Sequence, residues 1–382
     1  MKIGIFTLTL HTNYGGILQA YALQTLLEEM GHEVRVINKE QRFRPMPRWR
    51  RPLSMAKRAV KKLLVDPHTV VDIERRNRKE FASIRQHTNR FIRERIHSYM
   101  VDVPSEVRQG DFEAIVVGSD QIWRPKYFGS LWTKDYAQAF LSFARDWDIK
   151  RYGYGISFGV DEWEFPPEST PEYAELVQKF IALSFREDSG VRLCRSYLHK
   201  DAIHVLDPTM VLSPEHYLAL VRQSGVPKSW GNLFYYILDT DAGKRALIER
   251  VARERGLQPF TVFAQSKRED SSLEEKTVPP VESWLRAFVD AEFVITDSFH
   301  GTVFSIIFGK PFVTIGNIDR GLSRMQSLLR MFGLEDNLLL DVADYKPTND
   351  YAQHAAVRDR LEEMRGRSFA FLKQIETSSP TR

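Results

Sequence analysis

The sequence predicts an α/β protein of two Rossmann-like domains facing a cleft, with a basic helical insertion in the first. Three observations predict it. Short β-rich apolar runs alternate with segments of helical periodicity, and the alternation occurs as two series along 382 residues. The first strand, helix and second strand are joined by turns too short for anything but a right-handed parallel βαβ unit. Between these series and the rest of the first half lies a proline-marked, arginine-rich stretch that breaks the rhythm.

The elements follow in order. "KIGIFTL" reads as a strand and "HTNYGG" as a turn. "ILQAYALQTLLEEM" places Ile17, Leu18, Tyr21, Leu23, Leu26, Leu27 and Met30 at helical spacing, and Gly31 stops the helix. "EVRVIN" is the next strand. Residues 42–100 form the insertion, with Pro45, Pro47 and Pro52 first and two basic helical stretches after them, about 54–65 and 70–97. Strands resume at "FEAIVVGSD", "KRYGYGISFG", "FIALSFRED" and "AIHVLDPTMVL". The second series begins with "LFYYILD", then a helix capped by Asp241 and stopped by Gly256, the strand "PFTVFA", a loop "SLEEKTVPP" and the helix "VESWLRAFVDA". "EFVITDS", "GTVFSIIFG" and "KPFVTI" repeat strand, helix, strand, and the tail from Tyr351 to Thr377 is helical. The expected division is residues 1–200 for the first domain and 201–382 for the second.

Composition narrows the function. With 43% hydrophobic and 27% charged residues, the chain reads as soluble and globular. No stretch approaches the roughly 20 apolar residues of a membrane span. "MKIGIFTLTL" lacks the regions of a signal peptide and reads as a strand. A single cysteine, Cys194, excludes an internal disulfide, suits a reducing cytoplasm and reads as buried filler. Net charge is +4, yet residues 42–95 carry 17 Lys and Arg against 5 Asp and Glu. That asymmetry suits either an anionic partner, such as a phosphate-bearing substrate or membrane lipid, or a solvated helical insertion. Few aromatics interleave the basic residues and no nucleic-acid motif accompanies them, which speaks against nucleic acid. No metal-binding pattern, Walker loop, GxGxxG or GxSxG motif is present, so no metal or nucleotide cofactor is expected.

In an open parallel sheet, ligands lie where strands give way to helices. Four such turns carry unusual residues. "TLHTNYGG" offers His11, Asn13, Tyr14, Gly15 and Gly16 at a helix start, where free N–H groups and the helix dipole attract anions. "VVGSDQIW" offers Ser119, Asp120 and Gln121 as partners for sugar hydroxyls, and Trp123 as either a stacking face or a core aromatic. "LSFREDS" places Arg186 after a buried strand, as a fork for carboxylate or phosphate or as half of an ion pair. "FVITDSFHGTVFSIIFG" delivers Ser298, His300 and Gly301 to a helix N-terminus, where a bound anion would favour a protonated histidine.

Taken in order, "NYGGILQAYALQTLLEEMGHEVRVIN", "VVGSDQIWRP", "SFRED", "LDPTMVL" and "VITDSFHGTVFSIIFGKPFV" resemble the polysaccharide pyruvyl transferase family, from about residue 3 to 335. The SDQIW and TDSFHG blocks are the most specific, and the insertion at 42–95 matches no part of the pattern. The resemblance implies a GT-B-like pair of Rossmann domains. It also implies transfer of a pyruvyl group from phosphoenolpyruvate to a sugar of a polysaccharide or glycan precursor, giving a cyclic ketal and phosphate. The family's histidine falls on His300 and its arginine on Arg186. Where some members carry a basic residue two positions before the histidine, this chain has Ser298, and Arg324 in "GLSRMQSLL" is the candidate substitute.

On this reading His300 is a general acid or phosphate ligand, and Arg186 and Arg324 neutralise the donor at the turn formed by Ser298 and Gly301. Asp120 is a candidate to deprotonate the acceptor hydroxyl. The first turn, with Ser119, Gln121 and Trp123, lines the acceptor side. The basic segment 42–95 suits a lipid-linked acceptor at the inner face of an anionic membrane. Two rivals remain: a sugar-nucleotide glycosyltransferase on the same fold, and a non-catalytic scaffold for glycan assembly.

Overall fold

The computed structural model describes residues 1–43, 45–264, 268–317, 321–347 and 355–377. It contains two sheets. The first holds β1 (Lys2–Phe6), β2 (Glu33–Asn38), β3 (Ser98–Met100), β4 (Ala114–Asp120), β5 (Lys150–Ile156), β6 (Ala182–Phe185) and β7 (Ile203–His204). The second holds β8 (Leu233–Tyr236), β9 (Pro259–Phe260), β10 (Phe293–Thr296), β11 (Phe312–Ile315) and β12 (Leu338–Leu339). Every pairing is parallel. Central strands such as β4 and β10 are buried along their whole length, which explains their unbroken apolar runs: helices cover both faces of a parallel sheet.

Strand order locates the cleft. The first sheet runs β3-β2-β1-β4-β5-β6-β7, so the chain reverses direction between β1 and β4. The second runs β12-β11-β10-β8-β9 and reverses between β8 and β10. At each reversal the helices after neighbouring strands leave to opposite faces, and a crevice opens at the strands' carboxyl ends. The two reversal points face each other, so the expected pair of Rossmann-like domains around a cleft is present.

Several expected boundaries shift. The second basic stretch is two helices, Ile73–Ile84 and Gln86–Arg95, broken at Arg85, whose φ of −100° and ψ of 4° leave the helical region. The insertion's last residues are β3, the edge strand of the first sheet. The stretch read as the loop "SLEEKTVPP" contains a helical turn, Leu273–Lys276, closed by a Ser272–Glu275 capping box. β7 extends the first sheet past residue 200. The tail helix, Ala355–Leu372, returns to the first domain: Leu206 N–H donates to Ser368 Oγ at 3.0 Å, and Arg365 Nε to the Met210 carbonyl at 2.7 Å. The first four residues of the expected tail, Tyr351 to His354, lie outside the described residues.

Several arginines of the insertion reach across to the second domain. Arg90 reaches both oxygens of Glu282, at 3.0 and 3.1 Å. Arg76 donates to the Ser271 carbonyl at 2.6 Å, and Arg58 pairs with Glu269. Tyr14 completes the seam, donating its hydroxyl to the Pro279 carbonyl at 2.8 Å and stacking on Trp284 at 5.5 Å.

Candidate active site

The facing reversal points enclose a cavity of about 440 Å³. From the first domain, His11, Asn13, Tyr14, Gly16, Asp120 and Gln121 line it. From the second come Asp297, Ser298, Phe299, His300 and Arg324. The loop after β1 is held in place by local bonds. Thr7 Oγ1 donates to the Ser119 carbonyl at 2.7 Å, and Leu10 N–H donates to Asn38 Oδ1 at 3.0 Å. On the other side the carboxylate of Asp297 accepts from Leu238 N–H at 2.7 Å, Asp239 N–H at 3.2 Å and Lys244 Nζ at 2.9 Å. Asp297 therefore ties the end of β8 to the end of β10 and fixes the turn that carries His300.

Beneath the cavity floor lies a buried charge cluster. Arg186, its side chain fully enclosed, donates Nη1 to Asp207 Oδ2 at 2.6 Å and Nη2 to Asp120 Oδ1 at 3.2 Å. Asp207 Oδ2 also accepts from Ser119 Oγ at 3.2 Å, while Oδ1 accepts Thr209 N–H at 3.0 Å and Thr209 Oγ1–H at 2.7 Å. His300 Nε2 stands 3.7 Å from Asp207 Oδ2, an ion-pair separation longer than a hydrogen bond. Burial pushes the Asp207 carboxyl up, but His300, Arg186 and Thr209 together outweigh burial and hold it well below the usual carboxylate range. Asp120 behaves alike: burial opposes ionisation, and Arg186, His300 and Arg324 prevail. For Arg186 burial is likewise outweighed, by Asp207, Asp120 and Glu187, which hold its pKa above the usual value. Arg324 is pushed the other way, to about 10, by burial and by the neighbouring charge of Arg186. Two guanidinium groups thus share the site, both packed on Phe299, with Arg186 Cζ at 4.8 Å and Arg324 Cζ at 5.1 Å from its ring centroid.

Backbone geometry shapes the same region. Asp120 has φ = 76°, in the left-handed region that costs a non-glycine residue energy. This turn ends β4 abruptly and brings the carboxylate back over its own backbone, where Oδ1 accepts Gln121 N–H at 2.8 Å. Gly15 answers to the opposite domain: a Cβ there would overlap the imidazole of His300. Gly301 answers to β10, since a Cβ there would collide with the Thr296 side chain.

Several sequence expectations change. Arg186 does not reach the cavity as a donor fork, because Asp207 and Asp120 occupy both fork nitrogens beneath the floor. Trp123 is core: it is fully buried, its indole N–H donates to the Ala139 carbonyl at 2.9 Å, and it packs against Phe140 at 4.6 Å. Ser119 is sealed under the floor and bound to Asp207. Gly301 does not line the cavity, and its N–H donates to Ser298 Oγ at 3.3 Å, so Ser298 is the N-cap of helix Phe299–Ile307 while also lining the wall. Tyr14 lines the wall but spends its hydroxyl on the domain seam. His11, Asn13, Gly16, Asp120, Gln121, His300 and Arg324 line the cavity. Cys194 is buried, and burial pushes its thiol up to about 12.

Asp207 was missed. It lies in "LDPTMVL", and an Asp before a Pro-initiated helical turn reads as an ordinary cap, which it also is. Glu187 follows Arg186 directly in the chain. It is buried, accepts from Phe158 N–H at 2.8 Å and Gly159 N–H at 3.2 Å, and burial raises its carboxyl above the usual range against Arg186 and Arg324.

A second cavity, about 650 Å³, adjoins the first through Thr12, Leu131 and Val278. It lies between the first domain and the insertion, and Lys39, Arg42, Phe43, Phe81 and Arg85 line it. Although larger, it holds none of the buried charge cluster. Arg85 lies over the Phe81 ring at 3.9 Å, burial holds its pKa below the usual value, and it makes no ion pair among the described residues.

Comparison with known proteins agrees with the motif reading. The family model described as polysaccharide pyruvyl transferase matches residues 13–320. A search of curated proteins found no match. Among solved structures, UDP-GlcNAc 2-epimerase from Neisseria meningitidis, bound to UDP-GlcNAc, is 10% identical with a TM-score of 0.48, covering 98% of this chain and 99% of that one. UGT89C1 of Arabidopsis thaliana, complexed with UDP-L-rhamnose, is 10% identical with a TM-score of 0.47, covering 97% and 95%. Spinosyn forosaminyltransferase SpnP is 15% identical with a TM-score of 0.40, covering 100% and 96%.

Proposed function

The chain belongs to the polysaccharide pyruvyl transferase family, and from that premise we propose that its cleft transfers the pyruvyl group of phosphoenolpyruvate to two hydroxyls of one sugar, forming a ketal and releasing phosphate. The observation that carries this reading is the convergence of His300, Asp120 and Arg324 on one cavity from two domains. A volume near 440 Å³ is in the range of small-ligand sites.

The residues divide the work by chemistry. Arg324 neutralises the donor's anionic groups. Its pKa, near 10 without a bound anion, leaves it cationic at neutral pH. His300 is the general acid, giving a proton to the methylene carbon as the first sugar hydroxyl adds at C2. Asp207 faces the imidazole Nε2 from 3.7 Å and is a positioning residue, since it does not line the cavity. Asp120, kept ionised, accepts a hydrogen bond from the attacking hydroxyl. The second hydroxyl then replaces phosphate at C2, and the C–O bond to phosphorus's oxygen breaks. Of the two hydroxyl protons, one replaces that given to the methylene and one leaves with phosphate. The adjoining cavity takes the rest of the acceptor, with Arg85 and Lys39 meeting an anionic group on it.

The test is phosphate release from phosphoenolpyruvate across free and lipid-linked glycans. His300→Ala should lose roughly 10²–10⁴-fold in turnover. Near wild-type turnover of that variant on a verified acceptor would remove His300 from the chemistry. Thermal stabilisation by sugar nucleotides, with none by phosphoenolpyruvate, would replace the whole reading with glycosyl transfer.

A further inference from the structure

No helix among the described residues is long and apolar enough to cross a membrane. Helix Arg50–Leu64, in the insertion, has another property: none of its residues is buried. The side that faces the protein carries Arg51, Ser54, Met55, Arg58 and Ala59, all half-buried. Arg51 donates to Asp72 Oδ2 at 2.7 Å, and Arg58 donates Nε to the Val70 carbonyl at 2.7 Å and pairs with Glu269. Positions 53, 56, 60, 63 and 64 fall on the opposite side at 100° per residue. There Leu53 is 69% exposed, Val60 54%, Leu63 82% and Leu64 79%, and Trp49 before the helix is 66% exposed. A surface helix ordinarily turns its apolar stripe to the core. Here the stripe points away from the protein.

The charge around the stripe identifies what covers it. Residues 48–65 hold seven Lys and Arg and no Asp or Glu. Arg51 and Arg58 are spent on the protein, whereas Arg48, Arg50, Lys57, Lys61 and Lys62 make no ion pair among the described residues. Leucines and a tryptophan flanked by cations free of carboxylate partners, with Arg50 lying over the Trp49 ring at 4.6 Å, match the interface of an anionic bilayer, where the apolar side sinks to the acyl boundary and the cations meet phosphate headgroups. A second copy fits poorly, because two such faces would bring like charges together.

We propose that helix Arg50–Leu64, with Trp49, docks this protein on an anionic lipid surface. The proposal is independent of the pyruvyl-transfer reading, and its test uses no substrate. The full chain is pelleted with vesicles of phosphatidylcholine, with and without phosphatidylglycerol. Expected are binding to the anionic vesicles, weakening with salt, and a loss of at least about tenfold when Leu53, Leu63 and Leu64 are changed to Glu. Lys57→Ser and Lys61→Ser should each weaken partition by roughly fivefold. Leu63→Cys carrying an environment-sensitive dye should shift to the blue on anionic vesicles. No binding to anionic vesicles would overturn the proposal. So would undiminished binding of the triple Glu variant, an unshifted dye, or self-association through this face in sedimentation without vesicle binding.

Discussion

The imidazole of His300 rests on Gly15, in the space that a Cβ at that position would fill. One residue opens the first helix of the first domain and the other opens a helix of the second, so the glycine is shaped by a partner 285 positions away. The helix N-terminus supplies room for the histidine, and the cavity wall on that side is the contact itself.

Gly15→Ala should therefore damage the reaction without unfolding the chain. The added methyl forces the imidazole away from Asp207, and a displacement near an ångström at a reacting group costs about 10²-fold. Steady-state turnover and a thermal melt check this: a large loss in kcat is expected with only a modest fall in Tm. Unchanged kcat would show that His300 need not rest where it does.

Asp207→Asn should destabilise the fold by about 3–5 kcal/mol, because Arg186 is left buried with one carboxylate partner instead of two. The pH dependence has a definite sign. The folded pKa of Asp207 lies well below its unfolded value, so its contribution is complete above the unfolded pKa and fades as pH falls toward the folded one. Denaturant midpoints for wild type and variant should differ most near neutrality, and the gap should narrow below about pH 4. A gap that stays constant through acid would assign the effect to packing.

Ser298→Ala separates a cap from a donor contact. Loss of the bond from Gly301 N–H should cost about 1 kcal/mol, with a Tm lower by roughly 2–4 °C. The KM for phosphoenolpyruvate should stay within about twofold. A tenfold rise in that KM would make the hydroxyl a donor ligand as well.

Arg85→Ala tests the adjoining cavity. With a phosphate-bearing acceptor, its KM should rise roughly tenfold or more, the scale of one charged hydrogen bond. The KM for phosphoenolpyruvate and the turnover of uncharged acceptors should not move. Equal effects on both substrates would place Arg85 in the fold rather than on the acceptor's path.

The sequence by itself determined the alternation of strands and helices, the parallel sheets and the four turns at their carboxyl ends. These follow from local periodicity, glycine stops and short connections, which act over a few residues. It also marked His300 and Asp120, because polar residues between two buried elements have few places to go but the crevice. Arg324 was reached only through the family resemblance, as the candidate substitute for a basic residue missing at Ser298. Tertiary structure alone decided which way the charges point. Arg186 follows a buried strand, as a ligand-binding arginine would, yet Asp207 and Asp120 reach it from other strand ends and hold it under the floor. Trp123 had two readings open to it, and the aromatic packing around it chose the core. The outward turn of helix Arg50–Leu64 was decided the same way. Periodicity shows that a helix has an apolar stripe, but the ion pairs of Arg51 and Arg58 with residues brought near by folding fix which side faces the protein.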